Sequence, residues 1–177
     1  SAAIAGGKQA GVALSGAGVS ATNKIATYIN AYIDGDHQDN DTTNVGIRAQ
    51  NVALHASDLS SITAVAAAAS ISAAFSGTAG VAVSVGVSLA ENSINNVVEA
   101  HISNVPTVTA GGSIKITATE AATINATTVA VSLAVGVAGS GLGVALSGAG
   151  ANATNYINNQ VHAFIKDSAT VTANTVA

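Results

Sequence analysis

The chain has 177 residues, of which 49% are hydrophobic, only 8% are charged and none is cysteine. This length suffices for a buried core, and the low charge argues against intrinsic disorder. A net charge of −4 with five scattered basic residues excludes a nucleic-acid-binding stripe, and the lack of cysteine excludes disulfides and thiolate chemistry. The apolar residues are largely Ala, Val and Ile, which favours closely packed β-sheets.

The first predicted strand covers residues 11–15 (GVALS). After a stretch of small residues, a second predicted strand covers residues 23–33 (NKIATYINAYI). Large and small residues tend to alternate along both segments. A period of two that includes β-branched residues is typical of strands.

An acidic stretch follows at residues 34–41 (DGDHQDND), which holds four of the nine acidic residues. Crowded carboxylates in a loop are the oxygen ligands that calcium binds. Asp34, Asp36, Asp39 and Asp41 are therefore candidate calcium ligands, and no other cofactor is predicted. The alternative is a solvated insertion, because residues 34–44 contain the extra residues of the first repeat, and insertions usually fall in surface loops.

The two strand segments recur twice further along the chain. GVAVS at residues 80–84 leads to residues 92–102, and GVALS at residues 143–147 leads to residues 155–165. The shared pattern N-x-I-x-[TN]-x-[IV]-x-A-x-I recurs after 69 and then 63 residues, and a further element follows each copy at residues 46–56, 107–118 and 170–177. The sequence indicates three repeats, approximately 1–62, 63–124 and 125–177. We expect a part of a longer array, because the chain begins with Ser and stops inside a repeat.

Strict alternation of large and small residues marks residues 81–90 and 129–138. We expect the Val and Leu side chains to face a core, and the Ala, Ser and Gly face to allow close approach of another sheet or chain. Short strands at a fixed period are typical of solenoids. We predict an all-β fold, a parallel β-helix or β-solenoid built from about three copies of a 63–69 residue repeat. Dividing the period by three gives about 21 residues per rung.

The recurring polar residues are predicted to be structural. Asn23, Asn92 and Asn155 are equivalent, and stacked rungs would align their amides into ladders or corner bonds. The histidines occupy positions expected at the surface: His37, His55, His101 and His162. The glycine patterns at residues 16–21 and 148–153 precede strands, whereas a dinucleotide site needs a helix there. With no G-x-S-x-G elbow and scattered charges, we predict that the chain is not an enzyme.

Two long segments, residues 63–90 and 121–161, carry no charged side chain. Both exceed the ~20 residues of a membrane helix. Gly, Ser and Thr interrupt them, and no Lys or Arg brackets their ends, so strands describe them better and no membrane span is predicted.

The runs GVA[LV]S, N-x-I-x-[TN]-x-[IV]-x-A-x-I and VTAGGSIKITA resemble the tandem β-strand repeats of very large bacterial surface proteins, of the filamentous-haemagglutinin-like adhesin type. The resemblance covers nearly the whole chain. It implies a bacterial extracellular or cell-surface location, and it transfers no catalytic residue.

The expected function is therefore a structural or adhesive repeat module that provides a stiff spacer or a self-associating filament. Its expected partners are neighbouring repeats or identical modules, and nucleic acid is not among them. The alternative is a ligand-binding surface module that uses loop 34–41 for calcium or a cell-surface glycan.

Overall fold

Regular structure in the described part of the chain consists of β-strands. The computed structural model describes residues 1–35 and 46–177, and within them it has fifteen strands and no helix. In chain order the strands are β1 (Ala2–Gly7), β2 (Ala10–Ile25), β3 (Tyr28–Asp34), β4 (Ile47–Ala49), β5 (Val52–Asp58), β6 (Ser61–Ser76), β7 (Ala79–Ile94), β8 (Val97–Ser103), β9 (Thr107–Ala110), β10 (Ser113–Glu120), β11 (Thr123–Ala138), β12 (Leu142–Ile157), β13 (Gln160–Lys166), β14 (Thr170–Thr172) and β15 (Thr175–Val176).

The strands form five sheets of three strands, ordered β1-β6-β11, β2-β7-β12, β3-β8-β13, β4-β9-β14 and β5-β10-β15. Neighbours run parallel, and Val97 of β8 pairs with Tyr28 on one side and with Gln160 on the other. Each sheet takes its strands five elements apart in the chain, so one repeat makes one rung. The predicted fold class, an all-β parallel β-solenoid of three repeats, is confirmed.

The predicted rung of about 21 residues is wrong, because one rung uses the whole repeat. Strand length explains the difference. Each repeat can contain two strands of sixteen residues, as β6 and β7 do, joined by a turn at residues 77–78. These two long strands alone absorb about half of the period, which the division into three short coils did not allow for.

Contacts between residues divide the chain into two compact units, each of which collects a part of every repeat. Unit 1 consists of residues 1–23, 62–92 and 124–155, and unit 2 consists of residues 24–61, 93–123 and 156–177. Unit 1 therefore contains most of the sixteen-residue strands, and unit 2 contains the shorter ones.

In unit 1 the side chains between the facing sheets are small. A Cβ atom added at Gly80 would lie 2.6 Å from the carbonyl oxygen of Val137, and one added at Gly86 would lie 2.9 Å from that of Val131. Facing backbones are therefore almost in contact, much closer than the ~10 Å of ordinary stacked sheets. The buried residues here include Ala64, Ala66, Ala68, Ser70, Ser72, Ala74, Ala82, Ser84, Ser88 and Ala90.

The large apolar residues of these strands face outward, so the expectation that they form the core is wrong. Val85, Val87 and Leu89 are 48%, 40% and 44% exposed, and the alternating residues from Val129 to Val137 are exposed as well. The reason is volume, because backbones this close leave no room for Val or Leu between them. The small face is already covered from within unit 1, and the surface left open is the face of large side chains.

Unit 2 has the expected orientation, with its larger aliphatic side chains inside. Val98, Ile102, Val108 and Ile114 are fully buried, and they belong to one apolar cluster contributed by β5, β8, β9 and β10. This core is positioned by the sheets β3-β8-β13, β4-β9-β14 and β5-β10-β15.

The close approach of sheets in unit 1 predicts the effect of adding one methyl group. Gly80→Ala places a Cβ against a backbone carbonyl that cannot move independently, so we expect a loss of about 1–3 kcal/mol in unfolding free energy, as for other overpacked interiors. Gly18→Ala is the matched control, since nothing lies within 4 Å of a Cβ there. Urea denaturation checks both variants, and equal stabilities would contradict the packing described.

Candidate functional site

Asn23, Asn92 and Asn155 form a ladder of side-chain hydrogen bonds across the three rungs of unit 1. Asn23 Nδ2 donates to Asn92 Oδ1 over 2.8 Å, and Asn92 Nδ2 donates to Asn155 Oδ1 over 2.8 Å. Asn92 is only 1% exposed, and both ends of its amide are engaged. Asn92 is thus committed to holding adjacent rungs in register.

A second row of asparagines turns the chain at the next corner, within unit 2. The backbone N–H of Thr27 donates to Asn96 Oδ1 over 3.0 Å, and the backbone N–H of Asn96 donates to Asn159 Oδ1 over 2.8 Å. Each asparagine replaces a strand partner for the backbone of its neighbouring rung, just where the strands end.

The sequence analysis missed a buried carboxylate beside this row. Asn96 Nδ2 donates to the Asp58 carboxylate and also contacts Ser60 Oγ at 3.0 Å, while Ser60 Oγ lies 2.9 Å from Asp58 Oδ1. Asp58 is 8% exposed. Its oxygens are occupied by these donors, as a buried carboxylate requires, so this cluster is a structural corner.

An aromatic row crosses the three rungs on the outer side of β3, β8 and β13. The rings of Tyr32 and His101 stack at 5.6 Å and 16°, and those of His101 and Phe164 stack at 4.8 Å and 5°. Lys166 Nζ lies 5.6 Å from the centre of the Phe164 ring. The sequence analysis aligned these three positions and expected surface side chains there. It did not foresee that strand spacing places planar rings at stacking distance.

Of the candidate calcium ligands, Asp34 alone lies in the described part of the chain. Its Oδ1 accepts hydrogen bonds from Ser103 Oγ at 2.9 Å and from Asn104 Nδ2 at 2.8 Å, and these bonds hold the pKa of Asp34 below its usual value. Asp36, Asp39 and Asp41 lie outside the described residues, as does His37. Within residues 1–35 and 46–177, no three acidic or histidine side chains are grouped as metal ligands. The calcium site stays a prediction.

The other sequence-selected positions lie in strands. Residues 16–21 are inside β2 and residues 148–153 are inside β12, so neither glycine pattern opens a helix. His55 and His162 are exposed, and His101 is partly covered by its two ring neighbours.

No protein family, curated protein sequence or solved structure matches the chain. In the described residues there is also no helix of the length and apolarity needed to cross a membrane. The function is therefore argued from what the stacked rungs do.

The asparagine ladder predicts that an inner rung depends on its amide more than an end rung does. Asn92→Ala removes two side-chain bonds at a buried position, so we expect a loss of about 2–3 kcal/mol in unfolding free energy. Asn155 is exposed and water can replace its bond, so Asn155→Ala should cost less than about 1 kcal/mol. Urea denaturation measures both variants, and a larger loss for Asn155→Ala would show that the ladder does not hold the rungs.

A hydrogen bond on the outer side of unit 2 predicts an alkaline titration. Tyr28 Oη donates to Glu99 Oε2 over 2.5 Å, and this bond is the main reason that the pKa of Tyr28 is raised above 10.0. Because the raised pKa belongs to the folded state, the bond stabilises the fold below the unfolded pKa. This contribution is lost as the pH rises through the folded pKa.

Glu99→Gln should lower the pKa of Tyr28 toward 10.0, since the charged acceptor is gone. Phenolate absorbance during an alkaline titration gives the measurement, and Tyr28→Phe identifies the signal. Glu91→Gln, at an exposed position on β7, is the matched control and should leave the Tyr28 titration unchanged. An unchanged Tyr28 titration in Glu99→Gln would rule out the proposed cause.

Proposed function

We propose that the chain is a structural repeat module that lengthens by stacking further rungs, as a stiff spacer or a self-associating filament of a bacterial extracellular or cell-surface protein. One observation carries the proposal: side chains that are buried in the middle rung are exposed in the last one. Ala82 and Ser84 on β7 are buried, whereas Ala145 and Ser147, their equivalents on β12, are exposed.

A further rung of the same kind would cover the inner side of β12. All sixteen residues of β12 are exposed, including the small inward-facing ones. Its outer edge also carries backbone groups with no strand beside them in this chain, because β12 is an end strand of its sheet. Such an edge is a template for another strand.

The side chains of the last rung support the same direction of growth. Asn155 is exposed, and its Nδ2 group is placed to donate to an asparagine of a further rung, as Asn23 and Asn92 do within the chain. Within unit 2, an apolar hollow of about 350 Å³ lies at the third rung, lined by Ile116, Ala163, Phe164, Ile165, Val176 and Ala177. Burying this apolar surface under another rung would favour stacking.

The sequence features that set the compartment are the repeat motifs that resemble bacterial surface adhesins. Low charge and many small side chains suit a module whose neighbours are copies of itself. The adhesive role and the cell-surface location rest on that resemblance.

Sedimentation velocity tests the stacking. At ~100 µM, where contacts of modest affinity are populated, we expect species larger than dimers for the native sequence. The double variant Ala149→Glu/Ala151→Glu adds charge to the exposed inner side of β12 and should abolish these larger species without changing the melting temperature of the module. Thr154→Glu is the matched control, because it adds one charge to the outer side of the same exposed strand.

Two results would contradict the proposal. One is a native chain that contains no species larger than dimers at this concentration. The other is a folded double variant that assembles as the native chain does.

A further inference from the structure

The outer face of the β2-β7-β12 sheet in unit 1 is apolar and open. We define it as the outer face: the outward side chains of residues 10–20, 79–89 and 142–152. None of these three segments contains a charged residue. The three strands have equal lengths, and the asparagine ladder fixes their register, so residues 69 and then 63 positions apart lie side by side.

The side chains of this face follow a pattern of sizes. Each flanking strand has two bulky residues followed by two glycines at successive outward positions, whereas the central strand has four valines. The set is Val12, Leu14, Gly16 and Gly18 on β2, Val81, Val83, Val85 and Val87 on β7, and Val144, Leu146, Gly148 and Gly150 on β12.

The bulky positions stand open and the glycines leave depressions beside them. Leu14 and Leu146 are 67% and 65% exposed. A Cβ atom added at Gly18, Gly148 or Gly150 would meet nothing within 4 Å, and one at Gly16 would only touch the carbonyl oxygen of Val85 at 4.0 Å. The glycines are therefore not needed for packing inside this chain.

We propose that the outer face binds the outer face of a second copy, about a two-fold axis that crosses the strands between Val83 and Val85. This axis sets Leu14 against the partner's Gly16 and Leu146 against the partner's Gly148. In the middle it sets Val83 against the partner's Val85. Every bulky flanking residue then faces a glycine, and each contact occurs twice, as in an isologous interface.

The size of the face matches a weak, specific interface. Eleven residues at about 3.3 Å and three strands at about 4.8 Å give on the order of 500 Å² per copy. The total of about 1,000 Å² is near the lower limit for specific protein interfaces. Each further rung would widen the same face, so pairing of longer arrays should be tighter than pairing of this chain.

A second copy fits this face better than lipid does. The sheet ends at β2 and β12, whose outer backbone groups have no strand partner in this chain, and a hydrocarbon environment does not tolerate open sheet edges. Lipid chains also have no use for matched bulky and glycine positions, whereas two protein surfaces gain close packing from them.

The test exchanges the two sizes on β2. The experiment uses the full chain with Ala149→Glu/Ala151→Glu, which blocks end stacking from the opposite side of β12, so its outcome is separate from that of the proposed function. In this background we expect a monomer–dimer equilibrium in sedimentation velocity. Gly16→Leu opposes two leucines and should weaken the dimer at least tenfold. Leu14→Gly should also weaken it, because glycine then faces glycine.

The double exchange Leu14→Gly/Gly16→Leu should restore dimerisation, because each leucine again faces a glycine of the partner. Melting temperatures of all variants confirm that the module is folded. Stronger association of Gly16→Leu would indicate non-specific hydrophobic contact and overturn the proposal. So would failure of the folded double exchange to dimerise. A background protein that stays monomeric but floats with phosphatidylglycerol–phosphatidylcholine vesicles would also overturn it, in favour of lipid.

Discussion

The near-contact of facing backbones in unit 1 is the constraint on which its other features depend. Gly80 and Gly86 leave no space for a methyl group, and Ala and Ser fill most other inward positions. Since the inner space is too thin for larger groups, Val and Leu must project outward. The strands can still be long and regular, because alternation provides one small and one large face along their whole length. A core of this kind buries little apolar area per residue, so most of the apolar side-chain surface stays on the outside.

Hydroxyl groups add specificity that alanine alone could not provide. Ser70 Oγ and Ser84 Oγ are 2.7 Å apart, and Ser88 Oγ donates to the carbonyl oxygen of Ala66 over 2.7 Å, each bond joining β6 to the facing β7. Methyl groups slide over one another at small cost, whereas buried hydrogen bonds are lost when two sheets shift. The asparagine ladder has the same effect along the stacking direction. Together these bonds define the position of each strand relative to the facing sheet and to its neighbouring rungs.

The sequence predicts strands, repeat and ladder well because all three depend on local periodicity. Equivalent asparagines at fixed spacing leave little choice once the strands are parallel. Orientation was predicted wrongly for β7 and β11, because both faces of these strands are uncharged and only their sizes differ. Whether large or small residues face inward is decided by the distance to the opposite sheet, which no local pattern encodes. The contact between Asp58 and Asn96 joins residues 38 positions apart and occurs at a single corner, so periodicity could not reveal it.

The two kinds of core have different consequences for association. In unit 2 the aliphatic side chains are buried within the rungs, so the hydrophobic effect already stabilises the single chain. In unit 1 the same class of side chain faces outward, and its transfer from water requires a surface supplied by another molecule. The glycines beside Leu14 and Leu146 make that surface uneven, and an uneven apolar face packs well only against a matching one. A long array built from such rungs would therefore gain stability from pairing in proportion to its length, and repetition would turn a weak contact per rung into a firm one.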